Sequence, residues 1–492
     1  MPENNNIKSD ELVSVARGQA VVEARQILER DCRVLSVTAN ATVAVSEVFT
    51  GEARYTGKVR FDCITLTENG VECVAAVAEF SDKITSTDIA VGTDVVLVPE
   101  IINCEAAADG GALKLVAVVD TSALAVRGNS CACADVSATD GIYADFKQIE
   151  YCTVVCEKSE TAYVNDSLDN VKANDVLCAT ARAVVTNVDC ADGEVKVAGT
   201  VYASVLARCD DGLTSFKLAT PFVKSIQAQG AADGSVALAN VAVTDAVASL
   251  VAAESSRIEL AVTLVVDTRV FAVCKTEAAC DVFCADNEIE AKTAELKTVC
   301  IEPQQTVTDI VDGQVKLDPE KPAADNVLCV NGASVTLGGV TVENGRVNVE
   351  GLVGGDIVYY NAEKNTTDAL AFKLPFSMPL SVHTDAQKAD VSAVVTDVNV
   401  RVRRESVFDV KAEIAFTVRL STETTVCVVE SVTVGEPIPR PDATVIVHIA
   451  RAGETLWQAA KALCCSPDRV TEQNDCAAPF VGGERLINFC EK

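Results

Sequence analysis

The chain has 492 residues, 49% hydrophobic and 23% charged, with 71 Asp+Glu against 41 Lys+Arg and a formal net charge of -30. That much apolar material excludes a wholly disordered chain, and at about 100–200 residues per domain it predicts three or four domains. The acidic balance repels phosphate backbones and anionic lipid, and an aromatic content of 4% offers few stacking platforms, so neither nucleic acid nor a membrane surface is an expected partner.

The opening Met1-Pro-Glu-Asn-Asn-Asn-Ile-Lys-Ser-Asp10 lacks a basic stretch followed by an apolar one, so no secretory signal is expected. No run approaches the roughly 20 apolar residues of a membrane helix, and no transmembrane segment is expected. The 21 cysteines are odd in number and spread along the chain; reduced thiols in a cytoplasmic protein fit them best. Leu12, Val15 and Val22 predict a short helix within residues 8–30.

A pattern then recurs three times: Gly51-Glu-Ala-Arg-Tyr-Thr-Gly57, Gly193-Glu-Val-Lys-Val-Ala-Gly199 and Gly345-Arg-Val-Asn-Val-Glu-Gly351. Apolar or aromatic residues at the third and fifth positions give strand alternation, closed at both ends by turn residues. A phenylalanine follows at 23, 23 and 25 residues after the second glycine, as Phe80, Phe222 and Phe376, the last two preceded by Pro221 and Pro375. Val176-Leu-Cys178 and Val327-Leu-Cys329 precede the later two patterns. A second alternating strand closes each unit: Leu113-Lys-Leu115, Ile258 to Leu264, and Phe408 to Val418. In the last, Phe408, Val410, Ala412, Ile414, Phe416 and Val418 share one face.

The fold class expected is therefore mainly β. Three tandem antiparallel sandwich-like units, the first divergent, span 1–145, 146–273 and 274–434. Prolines 437, 439 and 441 predict an extended linker over 435–444. Residues 445–492 then read as a small βααβ module. Val445 to Ile449 is a β-branched strand and Gly453 a turn. Thr455 and Gln458 form a capping box, and Leu456, Ala459, Ala460 and Leu463 make one apolar stripe. Ser466-Pro467 opens a second helix, Asn474 ends it, and Gly482-Gly483 lead into a strand over 485–489.

Gly453-Glu-Thr-Leu-Trp457, Ser466, Asn474 and Gly483-Glu-Arg-Leu-Ile487 closely resemble a LysM domain. The resemblance implies binding of N-acetylglucosamine polymers in a groove between Ala452–Leu456 and Asn474–Phe480. The implied site residues are Gly453, Glu454, Thr455, Leu456, Trp457, Asn474, Asp475 and Phe480. The three glycine-bounded units, with their later phenylalanines, are similar to SPOCS domains. SPOCS units ahead of a C-terminal LysM resemble the SipL/SpoVID group of spore-coat morphogenetic proteins. That resemblance implies a non-catalytic scaffold in the mother-cell cytoplasm, at the forespore surface. Its LysM tail would dock to a coat morphogenetic ATPase of the SpoIVA type and its β units to other coat proteins. The alternative is a cell-wall protein that binds peptidoglycan.

No P-loop, dinucleotide fingerprint, nucleophile elbow or zinc-protease motif is present. His383 and His448 have no nucleophile partner nearby in sequence and are expected as surface or sheet-face residues. No catalytic residue, cofactor or metal is expected. The close pairs Cys131/Cys133, Cys152/Cys156 and Cys280/Cys284 are expected as core or oxidisable thiols, with a four-thiolate zinc site the alternative. Trp457, the one tryptophan, is expected to anchor the tail's core; a partner-facing hot spot is the alternative.

Overall fold

Apolar side chains at every second position drive nearly the whole chain into antiparallel strands. The structure is a computed structural model that describes residues 5–91, 95–136, 141–210, 212–251, 257–404, 406–438, 445–475 and 478–489. The first unit comprises β1 (Asn5–Ile27), β2 (Arg33–Phe49), β3 (Glu52–Thr67), β4 (Gly70–Thr85), β5 (Val95–Asp109) and β6 (Ala112–Cys133). Its strands form two sheets, ordered β1-β6-β5 and β2-β3-β4.

The same plan recurs in β7 (Ile142–Leu168), β8 (Ala173–Ala191), β9 (Glu194–Cys209), β10 (Gly212–Gln227), β11 (Val236–Leu250) and β12 (Ile258–Cys284). It recurs again in β13 (Asn287–Ile301), β14 (Gln305–Lys316), β15 (Asn326–Glu343), β16 (Arg346–Asn361), β17 (Thr366–His383), β18 (Lys388–Val402) and β19 (Val407–Pro437). There the first strand is interrupted between β13 and β14 at Pro303, which has no N–H to give the ladder, and both halves pair with β19.

In each unit the middle strands of the two sheets face each other across the core: β3 with β6, β9 with β12, β16 with β19. The alternating row Phe408, Val410, Ala412, Ile414, Phe416, Val418 is wholly inside. Edge strands also run side by side, β2 with β5, β8 with β11 and β15 with β18, so each pair of sheets curls toward a flattened barrel.

The recurring glycines and phenylalanines have one physical explanation. Gly51, Gly193 and Gly345 sit in hairpin turns at φ +83°, +74° and +72°, a region costly for residues with a Cβ. Their carbonyls accept from Ser86, Ala228 and Thr384, which lie beyond the next hairpin. The second glycine of each pattern lies directly opposite the phenylalanine across the ladder, as Gly57–Phe80, Gly199–Phe222 and Gly351–Phe376. A Cβ there would collide with the ring and with the carbonyl oxygen of Thr42, Val184 or Thr336. The ring covers the space that the missing side chain leaves.

The units are fused through two cores that draw on all three. One contains Leu35, Leu177 and Leu328 with Ile64, Leu206 and Val358. Each of the three leucines is the extra residue of a β-bulge at the same place in its unit. The other forms where the first and last strands of each unit run past the barrel as paired arms, joining Ile7, Ile149 and Leu296 with Cys131, Ala278 and Val428. Beside it, the buried Ser9 hydroxyl accepts the Val299 amide, and Asp10 accepts from the Thr153 hydroxyl and Val154 amide. The first arm is thereby bonded to both others.

The short helix expected within 8–30 is absent. That segment belongs to β1, which pairs with β6 along its length with one bulge. Three apolar positions do not outweigh a partner strand of equal length. Positions 145/146, 273/274 and 434/435 lie inside β7, β12 and β19, because these strands continue into the arms. Residues 435–437 close β19 and the Ile438 amide donates to Asp286; residues 439–444 of the expected linker lie outside the described residues. Beyond them come β20 (Val445–Ile449), α1 (Leu456–Leu463), α2 (Pro467–Asn474) and β21 (Arg485–Phe489), with β20 and β21 paired antiparallel.

Candidate docking site

The C-terminal module is small, so its local bonds matter. Helix α1 opens with the expected capping box: the Thr455 hydroxyl accepts from the Gln458 amide at 3.2 Å and the Gln458 side chain accepts from the Thr455 amide at 3.0 Å. Ser466 caps α2 in the same manner through the Arg469 amide, with Pro467 as its first residue. Ala459, Ala460, Leu463, Val470, Phe480 and Leu486 form the interior.

The two loops named by the sequence come together. The Gly453 amide donates to the Phe480 carbonyl at 2.8 Å, and the Phe480 amide donates to the Glu454 carbonyl at 3.1 Å. Gly453, at φ +81°, permits this lacing. The Glu454 carboxylate accepts the Arg451 amide and the His448 ring, each at 2.7 Å. The Arg451 bond, with help from His448, holds its carboxyl below the usual range.

Several expected groove residues are engaged inside the module. Asn474 donates to the Val470 and Ile487 carbonyls and accepts the Ile487 amide at 2.6 Å, which ties α2 to β21. Phe480 is buried, Leu456 is half-buried, and Asp475 is the exposed left-handed residue that ends α2. His383 is exposed on β17, while His448 is half-buried on β20.

Trp457 is half-buried and packs against the module's core cluster, which includes Phe283 of the second unit. Its Nε1 donates to Asp281 at 2.7 Å, and Lys461, one helical turn on, pairs with the same carboxylate at 2.8 Å. The indole packs edge-on against Phe283, centroids 5.0 Å apart, and Phe283 in turn meets Tyr143. Burial works against charge on Asp281, but the bonds from Lys461 and Trp457 outweigh it and hold its carboxyl below the usual range. Asp281 and Phe283 share a face of the β12 arm because they are two residues apart. Nothing in the local sequence Cys280-Asp-Val-Phe-Cys284 signals this partnership.

Among the described residues, the cysteines of the β body, Cys32 to Cys427, carry free thiols. Cys131 and Cys133 lie in the arm core and Cys152 is fully buried. Burial pushes the thiols of Cys63, Cys104 and Cys329 up to about 12, where almost no thiolate exists at neutral pH. Among the described residues no group of three or more His, Cys, Asp or Glu side chains is placed to hold a metal ion, and no helix is long and apolar enough to cross a membrane. Compared with known proteins, the chain matches no family model, no curated protein and no solved structure.

Proposed function

We propose that the chain is a non-catalytic scaffold of spore-coat assembly, made of three SPOCS-like units and a LysM-like tail. It acts in the mother-cell cytoplasm at the forespore surface. The tail docks to a coat morphogenetic ATPase of the SpoIVA type, and the β units hold other coat proteins. The observation that carries this reading is the way the tail is mounted. A capped βααβ module with its two loops laced together is seated on a three-unit β body through Trp457, Lys461 and Asp281. Several modest contacts presented from one body raise the effective concentration of each, which suits a scaffold that must persist at an interface.

The test is localisation during sporulation. A chain ending at residue 438 is expected to keep its β body, seen as unchanged strand signal in circular dichroism, and to lose its concentration at the forespore. Normal localisation of that truncation sinks the proposal. Retention of the full chain on purified peptidoglycan, without co-purification of an ATPase from mother cells, favours the cell-wall reading instead.

A further inference from the structure

The two edges of the tail's small sheet differ. Antiparallel pairing turns the backbone groups of alternate residues toward the partner strand and those of the residues between them away. Ala450, which continues β20, accepts from Gly483 and donates to Glu484, so the even-numbered residues of β20 face β21. On the far side of β21, the outward groups are taken by α2. Asn474 bonds the Ile487 amide and carbonyl, Gln473 accepts the Phe489 amide, and Arg469 donates to the Phe489 carbonyl. That edge is sealed.

The edge of β20 is open. Among the described residues β20 pairs with β21 alone, which leaves the outward amides and carbonyls of Val445, Val447 and Ile449 without a ladder partner. These same residues are 37%, 57% and 63% exposed. With Ile487 and Phe489 they form an apolar stripe on the sheet face opposite the helices. An open apolar edge of this kind is a template for another strand.

We propose that β20 pairs antiparallel with β20 of a second copy, joining two tails into one four-stranded sheet. The strand is complementary to itself: a two-fold axis at Val447 sets Val447 opposite Val447 and Val445 opposite Ile449 on one face. Because the other edge is sealed, pairing two open edges closes the assembly at a dimer rather than a filament. Charge selects the same contact. Residues 445–492 carry five basic and six acidic side chains, net -1 of the chain's -30, so a contact through the tails brings together the least charged parts of two copies. This pairing is independent of which coat or wall component the protein binds.

Sedimentation velocity of the full chain over a range of concentrations, at low and high salt, tests it. The expected result is a monomer–dimer equilibrium, with a doubling of mass at high concentration and tighter association at high salt, where repulsion between the acidic bodies is screened. Amide exchange at Val447 and Ile449 slows as the dimer forms. Val447→Lys places like charges face to face and abolishes the dimer; Ile449→Lys does the same and serves where the first variant misfolds. A chain that stays monomeric at high salt, as it would if β20 receives a foreign strand, overturns the proposal. So does growth beyond a dimer, or a folded Val447→Lys protein that still doubles its mass.

Discussion

The β body and the C-terminal module solve the same problem by opposite means. The body buries long alternating rows, and each unit's core is continued by cores shared with its neighbours, so its order depends on contacts distant in sequence. The module has two eight-residue helices and two five-residue strands, too short to persist alone. It relies on caps, on the Asn474 tie, and on Phe283 lent by the second unit. The shared cores build the body to open as one object, whereas the tail is held by a few local bonds and one borrowed side chain.

Phe222→Ala puts the coupling of the three units to its severest test. The substitution uncovers Gly199 in the second unit and costs about 3–5 kcal/mol, the range for loss of a buried phenylalanine. If the shared cores couple the units, urea unfolding followed by far-UV circular dichroism shifts the entire β transition to lower denaturant. A shift in only about a third of the amplitude would show three independent units.

Much of the body is legible in the sequence because its signals are local. Strand alternation, the glycine-bounded turns and the fixed distance to phenylalanine each reflect a contact within one meander. The sequence shows that a phenylalanine recurs; only the register shows that it covers the glycine opposite. The β1 strand was illegible for the converse reason, since its partner β6 lies some hundred residues away. In the tail, the capping box, the Ser466 cap and both helices follow directly from residue order. The fate of Trp457 does not, because Asp281 and Phe283 come from another unit, and the free row on β20 is a property of backbone direction that no side chain announces.

Asp281→Ala probes the mounting. It removes the shared acceptor of Trp457 and Lys461 and is expected to weaken tail seating by about 1.5 kcal/mol, a charged hydrogen bond discounted for its partial exposure. Trp457 is the sole tryptophan, so its emission moves to the red as the indole becomes wet, while the β transition holds. The pH dependence follows from the lowered carboxyl. A group whose folded pKa is depressed contributes fully above its unfolded value, about 3.9 for aspartate, and loses that contribution as pH falls through the folded value. The native emission should therefore shift red below about pH 4, and Asp281→Asn should flatten that titration.

The smallest effect is the most discriminating. Thr455→Ala removes the hydroxyl that receives the Gln458 amide while leaving Gln458 able to reach the Thr455 amide, and an N-cap of this kind is worth about 1 kcal/mol. In an eight-residue helix that loss is a large part of what holds the first turn. Hydrogen exchange at the Gln458 amide should quicken roughly five-fold, Thr455→Ser should restore it, and amides of β9 and β16 should not change. Equal acceleration in those strands would mean that tail and body open together, and the tail could then not be a lightly held device on a rigid mount.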